Sequence, residues 1–246
     1  MVRAVYGTQI GNYPVFIDYV TKEHILPVAP VVFTDDFLGI DVVQPATAES
    51  GVDWLKKLVG TGTATVGGVS NGLNGKVAIA LNATSEKGEG TFYFGDNRQY
   101  QPTAGLVAEW VFDVAVLPTG TAVLTVGVAG TWVDNPDAVI RSAWFKIMPG
   151  GTVFAEIDDG TTDKSASTGL VLGTAVNKVG RIDFQDPTNV RFYMDGVDVT
   201  PTGTTFGWAA TGADGQVQPW AQAYKSTGVG VGTLNVDKFT GYQRRA

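Results

Sequence analysis

The sequence predicts an all-β sandwich, and three observations carry that prediction. Glycine supplies 32 of the 246 residues, about twice its usual share of roughly 7%, and Val and Thr, which favour strands, are abundant too. Gly-containing turns break short apolar runs at intervals of roughly 10–15 residues, the rhythm of a sandwich or barrel. Helical signal is thin: Val52–Val59 has room for two turns before Gly60, and no longer 3.6-residue period occurs.

Residues 1–32 differ from the rest. They hold Pro14, Pro27 and Pro30 and the isolated aromatics Tyr6, Tyr13, Phe16 and Tyr19, with no clear hairpin rhythm. Apolar residues are too frequent there for a solvated disordered tail. The expected organisation is an extended N-terminal arm over 1–32 and a sandwich domain over 33–246. The four arm aromatics are the expected partner-binding residues, buried against another subunit.

Beyond the arm the strands follow one another. Leu106–Val116 is long and almost wholly apolar, as a strand inside a double sheet requires. Ala122–Val128 follows a turn at Pro118-Thr119-Gly120. Ser142–Ile147 ends at Pro149-Gly150-Gly151, and Val153–Asp158 ends at Asp159-Gly160. Asn189–Met194 runs into Asp195-Gly196, a hairpin signal because Gly accepts φ > 0 at low cost. Val197–Val199 is the returning strand, and Trp220–Tyr224 and Leu234–Tyr242 complete the set.

Composition excludes several chemistries. With no Cys there is no disulfide, thiolate metal site or cysteine nucleophile. The one histidine, His24, rules out a His-rich metal centre. Net charge is −7 and the pI about 4.6, without a basic run, so no nucleic-acid partner is expected. No stretch reaches the 18 or so apolar residues of a membrane helix. The start, Met1 to Ala4, has one cation and no apolar run leading to a cleavage site, so no secretory signal is expected. Charged residues are 17%, below the usual 25% or so. A neutral surface of that kind suits packing against neighbours.

Residues 33–245 resemble the concanavalin-like jelly roll of legume lectins, laminin-G-type domains and family-16 glycosidases. Phe33–Gly39 looks like that family's opening strand, with Trp54 following, and Gly75–Leu81 like the next core strand. Glu109–Val114 looks like the long central strand. Arg181–Phe184 and Val190–Val197 look like its paired strands, with a Tyr-x-Asp-Gly hairpin at Tyr193 to Gly196. Gln218–Lys225 and Thr233–Gln243 look like the closing strands. The resemblance implies an antiparallel jelly roll whose closing strand pairs beside the opening one. In overall character the chain also resembles structural proteins of tailed-phage virions.

Candidate chemistry is sparse. The Glu156-Ile157-Asp158-Asp159 stretch is similar to the Glu-x-Asp-x-x-Glu strand of family-16 glycosidases, but Thr161 stands where the second Glu belongs. A retaining mechanism needs that second carboxyl about 5–5.5 Å from the first. Asp134, Asn135 and Asp137, and Asp158, Asp159 and Asp163, offer hard oxygens for calcium, yet turn capping explains them more simply. Trp54, Trp110 and Trp144 sit in apolar runs and are expected in the core. Trp132, in a loop among polar side chains, is the candidate carbohydrate-binding residue.

The expected function is therefore that of a virion structural protein, not an enzyme. Its expected place is the capsid surface, as a decoration or cement protein. Its partners would be capsid (or tail) proteins and other copies of itself in a homo-oligomer, a trimer being one candidate. No catalytic residue, metal or cofactor is expected. The alternatives are a tail or fibre component and a lectin-like carbohydrate-binding module.

Overall fold

The computed structural model describes residues 5–10, 13–18, 24–25, 31–37, 44–45, 54–69 and 75–244. In chain order the strands are β1 (Val5–Ile10), β2 (Tyr13–Asp18), β3 (His24–Ile25), β4 (Val31–Asp35), β5 (Gln44–Pro45), β6 (Leu55–Val59) and β7 (Ala64–Gly68). Then come β8 (Val77–Leu81), β9 (Gly88–Tyr93), β10 (Val107–Val116), β11 (Ala122–Ala129), β12 (Ser142–Ile147) and β13 (Thr152–Asp158). The last are β14 (Asp163–Val171), β15 (Lys178–Asp183), β16 (Arg191–Met194), β17 (Val197–Asp198), β18 (Gln218–Lys225) and β19 (Gly232–Gln243).

Two eight-stranded sheets form the sandwich. The first runs β17-β16-β15-β10-β19-β8-β7, with β4 also on β19; the second runs β14-β13-β12-β11-β18-β9-β6-β5. Pairing is antiparallel throughout the sandwich, apart from the short parallel contact of β5 with β6. One edge of β19 pairs with β10. Its other edge takes β8 along Gly232–Val236 and β4 along Phe239–Gln243. The opening and closing strands are neighbours, as the jelly-roll resemblance implied. The Asp195-Gly196 hairpin also forms, with φ of 52° and 79° at its two turn residues, the positive pair that a type I′ turn requires.

The structure differs from expectation at two places. Residues 55–59 are strand β6, paired with β9 from Leu55↔Tyr93 to Val59↔Glu89; tertiary pairing overrides the weak helical propensity of Leu-Lys-Lys-Leu. The N-terminal segment also carries pairing that its rhythm did not suggest. β1 pairs with β2 from Val5↔Asp18 to Ile10↔Tyr13, and β2 with β3. The intervening Gly11-Asn12 is itself a two-residue hairpin signal in the sequence. The opening sandwich strand begins at Val31, just ahead of the predicted boundary.

The core lies between the sheets. Along β10, Ala108, Trp110, Phe112 and Val114 point inward and are at most 2% exposed, the period-2 pattern of a pleated strand. The Trp110 indole donates to the Gly127 carbonyl across the sandwich at 2.8 Å. Gly127 is also where β11 and β12 approach most tightly. An added Cβ would sit 2.2 Å from the Ala143 oxygen and 2.6 Å from Trp144 Cα, so no side chain fits there.

Candidate functional site

Alternation divides the second sheet into two unlike faces. On β9 and β18, Gly90, Phe92, Ala221 and Ala223 face the core, while Glu89, Thr91, Tyr93, Trp220, Gln222 and Tyr224 take the outer face. Small residues inward and large polar or aromatic ones outward are the reverse of an ordinary half-buried strand.

Strand register sets these outer side chains in rows. One row crosses the sheet as Leu55, Tyr93, Trp220, Gly127, Trp144 and Glu156, each opposite the next. Because Gly127 has no side chain, the Trp144 and Trp220 rings come within 6.4 Å between centroids, and Tyr93 meets Trp220 edge-on at 5.7 Å. The adjacent row is polar: Lys57, Thr91, Gln222, Thr125 and Lys146. Beyond it Glu89 lies opposite Tyr224.

Glu89 organises the polar part. Its Oε1 accepts from Thr91 Oγ1 at 2.9 Å, Gln222 Nε2 at 2.8 Å and the Trp132 indole at 2.8 Å. Its Oε2 accepts from the Asn135 backbone N–H at 3.3 Å. Burial pushes its pKa up; the hydrogen bonds to Thr91, Gln222 and Trp132 oppose that rise, and the facing Asp134 carboxyl adds to it. Tyr93 is pushed up to about 12 by burial, with the Asp96 and Glu89 charges contributing. At the other end Glu156 accepts from the Trp144 indole at 3.0 Å and from Lys146 at 3.2 Å. Burial alone would lower the Lys146 pKa, but Asp137 and Glu156 raise it.

A loop, residues 130–140, lies over these rows. Its base is clamped where Gln218 Nε2 donates to the Gly130 carbonyl and Asp96, and where the Trp132 backbone N–H donates to Asp96 Oδ1. Lys87 holds Asp134 at 2.6 Å and Lys146 holds Asp137. Val139 packs with Tyr93, Trp144 and Trp220. Beneath this cover Glu89, Thr91, Trp144, Trp220 and Gln222 are fully buried.

No family model and no curated protein sequence matches the chain. Solved structures match it in shape. A protein of unknown function from Shewanella oneidensis MR-1 superposes with a TM-score of 0.60 at 12% identity, over 89% of this chain and 90% of that one. An endo-β-1,4-glucuronan lyase from the fungus Trichoderma reesei superposes with a TM-score of 0.51 at 11% identity, over 86% and 94%. The metal-free carbohydrate recognition domain of Emp46p reaches 0.47 at 12% identity, over 77% and 88%. The fold is a concanavalin-like jelly roll.

That likeness corrects one expectation. The chain was expected not to be an enzyme, on its missing Glu-x-Asp-x-x-Glu strand. A sandwich of the same fold serves as a lyase, so fold and motif give no ground for excluding catalysis. Enzymes and non-enzymes share this architecture.

The predicted site residues fall in different places. Trp132 reaches the rows but lies half-buried, its indole N–H on Glu89 and its ring 4.8 Å from Lys57 Nζ. Trp54 and Trp110 sit between the sheets as expected, whereas Trp144 lies on the outer face under the loop. Tyr6 is on β1, Tyr13 and Phe16 are on β2, and Tyr19 lies outside the described residues. Among the described residues no cluster of three metal-ligating side chains forms. Asp134 and Asp137 pair with lysines, and Asp159 accepts from the backbone of Thr161, Thr162 and Ala209. Sequence reasoning missed Glu89, Tyr93 and Gln222 and left Trp220 undecided between core and sugar site. The signal was present as Glu-x-Thr-x-Tyr and Trp-x-Gln-x-Tyr, two strands with every second residue aromatic or polar and Gly, Phe or Ala between.

Proposed function

We infer that this chain recognises a polysaccharide through the outer face of its second sheet. The observation that carries this is the pair of rows, Tyr93-Trp220-Trp144 beside Thr91-Gln222-Thr125, with Glu89 and Glu156 at opposite ends. Aromatic rings stack on the C–H faces of pyranoses, and carboxylates and amides take their hydroxyls, the mixture of apolar wall and few polar groups that ligand sites use. The shared fold with a glucuronan lyase supports the choice of ligand class. The test is a glycan array followed by titration of the best ligand, with reducing-end analysis to register any cleavage. Gln222→Leu keeps the side chain's bulk and removes its amide; it is expected to weaken binding at least tenfold, about 1.4 kcal/mol. A purified chain silent on every glycan overturns the assignment.

A second reading, a capsid decoration protein of a tailed phage, is favoured by β14. This nine-residue strand ends the second sheet and alternates exposed with half-buried residues. Its only charges are Asp163 and Lys164, and an irregularity around Gly169, whose φ is 77°, leaves Asp163–Ser167 as the regular part of the edge. The homo-oligomer this implies is expected to dissociate when Ser165 and Ser167 are both replaced by Lys. Mass photometry checks it, and a monomer at every concentration counts against assembly.

A further inference from the structure

We propose that the 130–140 loop is a built-in stand-in for the ligand, and that a sugar chain displaces it. The proposal rests on the carbohydrate reading of the face beneath. Two of the four donors on the Glu89 carboxylate, the Trp132 indole N–H and the Asn135 backbone N–H, come from the loop itself; the other two, from Thr91 and Gln222, belong to the sheet. Removing the loop would leave Glu89 with acceptor capacity that sugar hydroxyls fill.

The closed arrangement is also imperfect. The Trp220 indole N–H and Asp134 Oδ1 are buried without a hydrogen-bond partner among the described residues, a state that native structures rarely tolerate. Asn135 holds a φ of 103°, costly for a residue other than glycine. Strain and an orphaned carboxylate oxygen in the cover, and the orphaned indole beneath it, favour exchange of the loop for a ligand. It is held shut by hydrogen bonds to Glu89, Asp96 and Gln218, by the buried Val139 and by two ion pairs: Lys87 with Asp134, both more than a third exposed, and Lys146 with Asp137, which is 63% exposed. Exposed pairs of this kind are weak.

Displacement changes the charge of the face. Asp134 and Asp137 leave with the loop, and Lys87 and Lys146, which they engage, are freed beside Glu89 and Glu156. Donors and acceptors for a sugar chain then lie on the same face.

The test uses the whole chain and a Lys87→Ala/Asp137→Ala variant, which removes one partner of each latch. Without any glycan, amide exchange of residues 131–138 is expected to be at least tenfold faster in the variant, while β10 and β19 stay unchanged. In titrations with neutral (β-glucan, galactan, mannan) and acidic (polyglucuronate, alginate) oligosaccharides, the best ligand is expected to bind the variant several-fold more tightly, because less closed form competes. Loop amides that exchange as slowly as β10 in both proteins overturn the displaceable cover, while the carbohydrate assignment survives if wild type binds. A loop that opens with no oligosaccharide bound by either protein overturns the carbohydrate assignment and the stand-in together.

Discussion

Trp54→Ala is expected to lower the unfolding free energy by about 4 kcal/mol, the cost of emptying a buried tryptophan site. The side chain is 2% exposed. It stacks on Phe92 at 4.5 Å and meets Phe37, Phe94 and Trp110 edge-on at 5.0, 4.5 and 5.8 Å. Its indole donates to Asp35 Oδ2 at 2.8 Å, while Asp35 Oδ1 accepts from the Phe37 N–H. The ring therefore joins the aromatic core to the end of β4, the strand that covers one edge of β19. Loss of the ring is expected to cost stability and also to speed amide exchange along Phe33–Asp35 ahead of global unfolding. Urea unfolding and exchange mass spectrometry check both parts. A change below about 1 kcal/mol, the scale of a surface substitution, would show that Trp54 is not a core element.

Glu89→Gln is expected to stabilise the protein at neutral pH by about 1 kcal/mol, the order of one hydrogen bond, because no buried charge is then carried beside Asp134. The introduced amide oxygen still accepts from Thr91, Gln222 and Trp132, while its N–H meets the facing Asp134 in place of the bond that Glu89 accepts from the Asn135 N–H. The pH dependence has a definite sign. The wild-type carboxyl is harder to ionise when folded, chiefly through desolvation. Its contribution to stability is thus fully present below its ordinary value of 4.5 and is lost as pH rises through the raised value. The groups around it are Thr91, Gln222, Trp132, Asn135 and Asp134, with the Lys87 and Tyr224 charges felt nearby. Unfolding midpoints of the two proteins should therefore diverge as pH rises above the ordinary value of 4.5, with the variant ahead at the upper end. A wild type that gains on the variant over that interval would mean that Glu89 is ionised and well paired, against the direction inferred here.

Strands whose fate depends on local pattern were legible. Ser142–Ile147 was read residue for residue, and Leu106–Val116 and Leu234–Tyr242 were placed to within two residues, because apolar runs bounded by Pro and Gly admit few alternatives. Strands with weak apolar content escaped: Gly88–Tyr93 begins Gly-Glu-Gly-Thr, and Asp163–Val171 has Ser-Ala-Ser-Thr at its centre. The first pairs with β18, far along the chain, while the second is the returning strand of a hairpin with β13. Trp144 shows the same limit within one strand. An apolar run places it in a buried environment, but which side of the sheet it takes follows from the alternation with Ala143 and Phe145.

From the chain alone came the all-β class, the hairpin at Asp195-Gly196 and the lack of thiol chemistry, since each depends on local residue types; the closing strand beside the opening one was implied by the jelly-roll resemblance. The rows of Tyr93, Trp220 and Trp144, the buried Glu89 and the loop over them were decided only in three dimensions. Residues about 130 positions apart, Glu89 and Gln222, meet there, and no local pattern encodes the register that brings two such strands together.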